Sequence, residues 1–161
     1  MILRDQRPAD RDAVDRVVSA AFGQKAEAQL VRDLDRAGAV VIAIVAEAHG
    51  EILGHVLLSR MSAPFPALAL APVSVAPARQ RRGIGSALIR TAIDRASESG
   101  WAAIFVLGDP AYYGRFGFDA AAAAGFTTPY AGPHFMVLPL APPLPVRRGE
   151  LAHAAAFAAL G

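Results

Sequence analysis

Apolar positions along this chain fall into two periods, one helical and one extended, and their order outlines a mixed fold. Ile2 and Leu3 open a short strand ahead of Arg4 and Asp5. Pro8-Ala9-Asp10 reads as a helix start. Val14, Val17, Val18, Ala21 and Phe22 then recur on one helical face, and Gly23 ends the run. A second amphipathic helix is expected over residues 24–36, with Ala26, Leu30 and Leu34 on one stripe and Gly38 as its stop. Residues 39–47 are continuous and β-branched, the pattern of a strand covered on both faces. His49-Gly50 marks a turn, and residues 52–59 pair back as an antiparallel hairpin.

Residues 67–75, rich in Leu and Val and bracketed by proline, give a fourth strand. A basic loop follows, Pro77-Ala78-Arg79-Gln80-Arg81-Arg82, and then a helix opened by Gly83-Ile84-Gly85. It runs to about Ser99 with Ile84, Leu88 and Ala92 on one stripe, and Gly100 supplies its C-terminal signal. Residues 101–107 are a fifth strand and Gly108-Asp109-Pro110 a turn. A short helical segment over 111–115 leads into Phe116-Gly117-Phe118. The alanine-rich stretch 120–124 leaves helix and loop both open. Residues 135–140 form a last strand, and 150–160 a small terminal helix. Hairpins first, then strands alternating with helices, imply a mixed sheet covered by helices. No repeat or linker divides the chain, so one domain over 1–161 is expected, with the segment from about 141 at its periphery.

Composition narrows the chemistry. The 161 residues fit a single domain, and 54% hydrophobic against 19% charged residues argues for a buried core and against disorder. A formal charge of +2 is no nucleic-acid footprint. Cysteine is absent, which excludes disulfides, thiolate metal sites and thiol nucleophiles. The four histidines form no ligand cluster in the sequence, and no metal is expected. Arg4, Asp5, Arg7, Asp10 and Arg11 leave the first dozen residues without the apolar stretch of a secretory signal. The apolar run 38–46 falls well short of the ~20 residues that cross a bilayer. Pro64, Pro66, Pro72 and Pro77 interrupt the longer uncharged stretch 62–78. A cytoplasmic protein with no membrane partner is the expectation.

The most informative segment is Gln80-Arg81-Arg82-Gly83-Ile84-Gly85-Ser86. Two glycines at spacing two, between a strand and a helix, let backbone N–H groups converge without Cβ obstruction. The first helical turn adds unpaired donors and about half a positive charge. Together they suit phosphate or pyrophosphate, and Arg79, Arg81 and Arg82 raise the potential. A P-loop requires a lysine that this loop lacks. A dinucleotide fingerprint requires a small residue where Leu88 stands, with an acidic ribose partner downstream. The plain alternative is a glycine helix cap beside solvated arginines.

The flanks of this loop resemble the GNAT superfamily of acyl-CoA-dependent N-acetyltransferases. Ala71-Pro72-Val73-Ser74-Val75-Ala76-Pro77 followed by Gln80-Arg81-Arg82-Gly83-Ile84-Gly85 is similar to that family's strand-plus-loop motif, Gln/Arg-x-x-Gly-x-Gly/Ala. Downstream, Leu107-Gly108-Asp109-Pro110 and Tyr112-Tyr113-Gly114-Arg115-Phe116-Gly117-Phe118 resemble its tyrosine placed four residues before a Gly-Phe pair. The doubled tyrosine and the Gly-Asp-Pro turn resemble the YhbS-like subgroup. Order and spacing agree across about residues 2–140.

The resemblance implies an α/β fold with a mixed, mostly antiparallel sheet of about six to seven strands, splayed between the fourth and fifth. It also implies acetyl-CoA as co-substrate. Its pantetheine arm lies along Val73, Ser74 and Val75, where an exposed strand edge suits two amides. The pyrophosphate lies on Gln80, Arg81, Arg82, Gly83, Ile84, Gly85 and Ser86, with Gly108, Asp109, Tyr112, Tyr113 and Phe116 flanking the cofactor. The implied reaction is direct attack by a primary amine on the acetyl carbon in a ternary complex. The Val75 backbone N–H polarises the thioester carbonyl. Tyr113 holds the position of the general acid for the departing thiolate, its alternative being an aromatic packed beside Phe116 and Phe118.

A general base is harder to place. Residues 67–77 contain no carboxylate, a departure from many relatives. Glu27 is a candidate base or acceptor contact, weighed against a solvated helix residue near Lys25. His55 and His134 are proton relays or hydrogen-bonded core members, and Asp109 shapes its turn. The alternatives to acetyl transfer are a catalytically silent acyl-CoA-binding module and transfer of a different acyl group. Residues 62–70 and 127–134 are expected to border the acceptor cleft. Their scarcity of acidic residues argues against a polycationic amine, while peptide, lysine, amino-acid and drug-like amines stay open. Relatives often pair through C-terminal strands, so a homodimer also stays open.

Overall fold

In the computed structural model, which describes residues 1–160, the chain opens with β1 (Ile2–Asp5) and a 3-10 turn at Pro8–Asp10. The helical hairpin α1 (Arg11–Phe22) and α2 (Ala26–Arg36) follows. Gly23 ends α1 in the left-handed region (φ 67), a conformation that glycine adopts without steric penalty. Next come β2 (Val40–Ala48), β3 (Glu51–Met61), β4 (Ala67–Val75), α3 (Ile84–Glu98) and β5 (Ala103–Leu107). The remainder is α4 (Pro110–Tyr113), α5 (Ala120–Ala123), β6 (Phe126–Thr127), β7 (Phe135–Pro139), β8 (Gly149–Glu150) and a 3-10 segment at Ala155–Leu160.

Six strands form one sheet in the order β1-β2-β3-β4-β5-β7, and β6 pairs with β8 in a separate ribbon. Every neighbouring pair of the large sheet is antiparallel except β4 with β5. That parallel pair is short: Ala67 faces Ala103, Leu68 faces Ile104 and Ala69 faces Phe105, after which the strands part. The mixed, mostly antiparallel sheet and its splay agree with the expected fold.

Alternation along the strands feeds both faces of the sheet. Ile44, Ala46, Val56, Leu58, Leu68, Leu70, Ile104 and Val106 pack beneath Ile84, Leu88, Ile89 and Ala92 of α3. On the other face, Val45 and Leu57 meet Val14, Val17 and Val18 of α1 and Leu30, Val31 and Leu34 of α2. A third cluster gathers Phe65, Phe105, Phe126 and Phe135 at the β5–β7 end. β2 was expected to be covered on both faces throughout, but only Ile44, Val45 and Ala46 are buried. The helices above and below cover the middle of the strand. The stripe of α2 also differs, because Ala26 is exposed and Ala28, Leu30, Val31 and Leu34 are the buried set.

Glycine is required where β3 passes under α3. A Cβ on Gly54 would stand 2.9 Å from Leu88 Cδ1, 2.9 Å from the Ser74 carbonyl oxygen and 3.3 Å from Ile84 Cγ2. Backbone cannot yield as a side-chain tip does. Gly54→Ala is therefore expected to destabilise the fold by about 2 kcal/mol through overpacking, read as a lower urea midpoint at unchanged slope.

The C-terminal segment departs from expectation. Instead of a helix over 150–160, Gly149 and Glu150 pair with Phe126 and Thr127, and Ala152 bridges Ser62. Only Ala155–Leu160 coils, as a 3-10 turn. Backbone bonds from Leu151 N to Thr127 O and from Ala152 N to Ser62 O, both 2.9 Å, outweigh the weak local preference of alanine for a helix. Leu151 and Phe157 are both buried, which gives a segment expected at the periphery a share in the core. Residues 120–124 resolve as the short α5, capped by the Asp119 carboxylate, which accepts from the Ala121 and Ala122 amides.

Candidate active site

The parted edge of β4 is the first component. Ala76 N donates to Leu53 O at 2.8 Å, so that residue pair occupies a hydrogen-bonded position of the β3–β4 ladder. Antiparallel pairs alternate between bonded and non-bonded. Stepping back through the register, Val75 opposite Gly54 and Val73 opposite Val56 fall in non-bonded pairs. Their N–H and C=O groups consequently point away from β3, toward the gap. Gln80 Nε2 donates to the Val75 carbonyl at 3.1 Å and ties the following loop to this edge. The Ser74 side chain points to the opposite sheet face from Val75 and is buried, its hydroxyl without a hydrogen-bond partner.

The glycine loop lies immediately beyond. Arg81 and Gly83 take left-handed φ values of 64 and 81, and Gly83 has nothing within 4 Å of its missing Cβ. No side chain caps α3. The first amide bonded into the helix is that of Ala87, to Gly83 O at 3.0 Å. The amides of Ile84, Gly85 and Ser86 are therefore left as donors at the positive end of a long helix. Arg79, Arg81 and Arg82 are exposed around them.

The tyrosine pair closes the opposite side. Asp109 caps α4 by accepting from Ala111 N at 3.0 Å, which confirms its place in the turn. Tyr112 Oη and Ser86 Oγ lie 3.3 Å apart and join α4 to the first turn of α3. Tyr113 stacks edge-on to Tyr112 and Phe118, with centroids at 5.1 and 5.8 Å. Its Cε2 stands 2.5 Å from where a Cβ on Gly108 would be, so the ring sits flush against the end of β5. Burial, with a smaller contribution from Tyr112, pushes the Tyr113 hydroxyl up to about 12. The phenol is a proton holder at neutral pH. Phe116 lies under the Arg90 guanidinium at 4.9 Å.

Across the sheet, the gap opens into a cavity of about 200 Å³. Ala69, Leu70 and Ala71 form one wall, and Phe105, Val106 and Leu107 the other. Tyr130, His153, Phe157 and Leu160 close it from outside. A larger cavity of about 430 Å³ lies beside α1 and α2. Four of its charged side chains are paired, Arg11 with Asp35 and Arg32 with Asp15, while Arg7 and Asp12 also line it.

None of the other candidates is among the residues lining the cavity across the gap. Glu27 accepts from Gln24 Nε2 at 3.0 and 3.1 Å on α2 and is not among the residues lining the cavity. His55 is fully buried, its Nε2 3.0 Å from Gln6 Oε1, and burial pushes its pKa down to about 4. His134 Nδ1 lies 3.1 Å from Gly108 O at the surface. Tyr130 and His153, which do line the cavity, carry no spacing signal in the sequence. Among the described residues no group of three or more His, Asp or Glu is arranged to hold a metal ion. No helix among them is long and apolar enough to cross a membrane.

A mixed sheet that parts after three parallel pairs, with a bare helix start beside the parting, is the fold of acyl-CoA-dependent acetyltransferases. The chain belongs to the acetyltransferase (GNAT) family, whose profile matches residues 9–118. It is 34% identical over 126 residues to the uncharacterized N-acetyltransferase YhbS of Escherichia coli K12, covering 76% of this chain and 75% of that protein. The crystal structure of Escherichia coli YhbS in complex with CoA superposes with a TM-score of 0.93 at 30% identity, over 99% of this chain and 93% of the other. A GNAT family acetyltransferase from Brucella melitensis in complex with acetyl-CoA gives 0.84 at 35% identity, covering 97% of each.

Proposed function

We propose that this protein transfers an acetyl group from acetyl-CoA to a primary amine by direct attack in a ternary complex. One observation carries the reading. An outward-facing strand edge and a bare helix start lie beside the parting of β4 and β5, and the Tyr113 ring rests against Gly108 just past the end of β5. The pantetheine arm matches the outward-facing N–H and C=O groups of Val73, as in strand addition, which leaves the Val75 N–H for the thioester. The diphosphate matches the amides of Ile84, Gly85 and Ser86, with Arg81 and Arg82 adding charge. When bound, acetyl-CoA supplies an activated thioester carbonyl.

The chain's own groups do the rest. The Val75 N–H donates toward the carbonyl oxygen and favours the charge that develops there. Gln80 holds the Val75 carbonyl and so fixes the orientation of that edge. Tyr112 and Ser86 fasten the two sides of the donor groove to each other. Tyr113 keeps its proton at Oη for the departing sulfur. The two similar structures are complexes with CoA and with acetyl-CoA, which supports acetyl-CoA as the co-substrate.

Calorimetric titration with acetyl-CoA, followed by thiol release against a broad panel of primary amines, tests the proposal. The expected result is binding in the micromolar range and turnover with some member of the panel. Absence of binding ends the reading. Binding without any turnover replaces it with the silent acyl-CoA-binding module.

A further inference from the structure

The cavity across the gap has a chemical character that narrows the acceptor. Its outer wall, Tyr130, His153 and Phe157, packs with the clusters on the face away from α3, whereas Tyr112 and Tyr113 pack on the α3 face. Donor groove and cavity thus approach the gap from opposite sides. Among the described residues, the lining holds no carboxylate, no ammonium and no guanidinium. His153 is its one imidazole. Three rings hold it: Tyr130 at 4.9 Å, Phe157 at 5.2 Å and Phe135 at 6.3 Å between centroids. Burial lowers its pKa, which keeps the imidazole neutral and able to accept a proton.

We infer that this cavity receives the body of the acceptor, a primary amine on an apolar, ring-sized group, and that His153 takes the proton the amine gives up. The inference rests on the acetyl-transfer reading and extends it to a substrate class. The volume of about 200 Å³ exceeds the ~150 Å³ apolar cavity that holds benzene in a protein core. A polyamine entering here strips its further ammonium groups of water and finds no carboxylate among the described lining residues to pair with them. An aromatic amine buries its ring and keeps a single nitrogen for the gap.

The step balances. The lone pair of the amine nitrogen forms the bond to the acetyl carbon, and the carbon–sulfur bond breaks with its electron pair on sulfur. Sulfur takes the phenolic proton of Tyr113, and the nitrogen passes its proton to His153. Water then carries the proton from imidazolium back to phenolate.

The full-length protein serves for the test, with 2-phenylethylamine, ethylamine and spermidine as probes. Turnover of 2-phenylethylamine is expected to exceed that of the other two by about 10- to 100-fold in kcat/KM, the worth of burying an aromatic ring. Calorimetry on the CoA-saturated protein gives a readout independent of turnover, and 2-phenylethylamine alone of the three is expected to bind. Phe157→Ala weakens that binding and raises KM with kcat retained. His153→Ala loses about 10²-fold or more in kcat, and added imidazole restores part of it, which a packing role does not allow. Where thermal melting shows either alanine variant unfolded, Phe157→Leu and His153→Gln take its place, His153→Gln with the same expected loss of kcat. Equal use of the three amines, or unchanged kcat in the folded His153 variant, overturns the inference while leaving the enzyme reading intact. Failure of acetyl-CoA to bind overturns both.

Discussion

Tyr113→Phe is expected to lower kcat by about 10²- to 10⁴-fold, the usual worth of a positioned proton donor, while the affinity for acetyl-CoA stays unchanged. The substitution removes one oxygen and keeps the ring that Gly108, Tyr112 and Phe118 enclose. Packing is conserved and proton donation is lost, so the two roles separate cleanly. The Tyr113 hydroxyl titrates near 12, and the acid therefore stays loaded throughout the neutral range. Its deprotonation puts no falling limb on the pH–rate profile below roughly pH 11. Pre-steady-state thiol release with calorimetric binding on the same variant reads the outcome. A parallel loss of binding would make Tyr113 a wall of the donor groove, and unchanged kcat would hand the proton to another group.

The second large effect concerns stability. Folding keeps His55 neutral by burying it, with a pKa near 4 against an ordinary value of 6.5. Above pH 6.5 the ring is neutral in both folded and unfolded chains, and stability is at its full value. Between 6.5 and 4 the unfolded chain binds a proton that the buried ring refuses. Stability consequently falls with pH across that window, by up to about 3 kcal/mol, and the loss levels off below it. Asp10, held at about 2 by Arg4, adds its own loss only at lower pH, from about 3.8 downward. Urea midpoints between pH 7 and 4.5 are expected to slope steeply in the wild type. In His55→Asn, which keeps a donor for Gln6, the slope should flatten. An equal slope in both proteins would place the titration elsewhere.

The legible parts of this molecule are those in which chemistry and neighbours lie close in the chain. Val73 to Ser86 runs from strand edge to helix start within fourteen residues, and the glycines there announce bare amides before any tertiary contact is known. The β-branched and leucine-rich runs likewise fix six strands of one sheet. Residues 62–70 and 127–134 were legible as borders of a cleft, and Ala69, Leu70 and Tyr130 line the cavity, but His153 was hidden because no spacing relates residue 130 to residue 153. They meet only because Thr127 and Glu150 pair across β6 and β8, and Leu151 N reaches Thr127 O. Two-residue strands leave almost no periodic trace. Alanines from 152 to 159 then suggest a helix that long-range backbone bonds forbid. Glu27 is not among the residues lining the cavity, although its neighbour Ala28 shares a core cluster with Phe157, which does line it.

Unpaired β backbone is ordinarily an invitation to aggregate, and proteins guard it at the outer margins of their sheets. Here the outward-facing backbone groups of Val73 and the Val75 N–H lie in the interior of a six-stranded sheet, screened by β5 and β7. A foreign polypeptide cannot reach them broadside. A slender chain of amides entering end-on can, and so the same seam protects the protein from self-association while admitting one narrow guest.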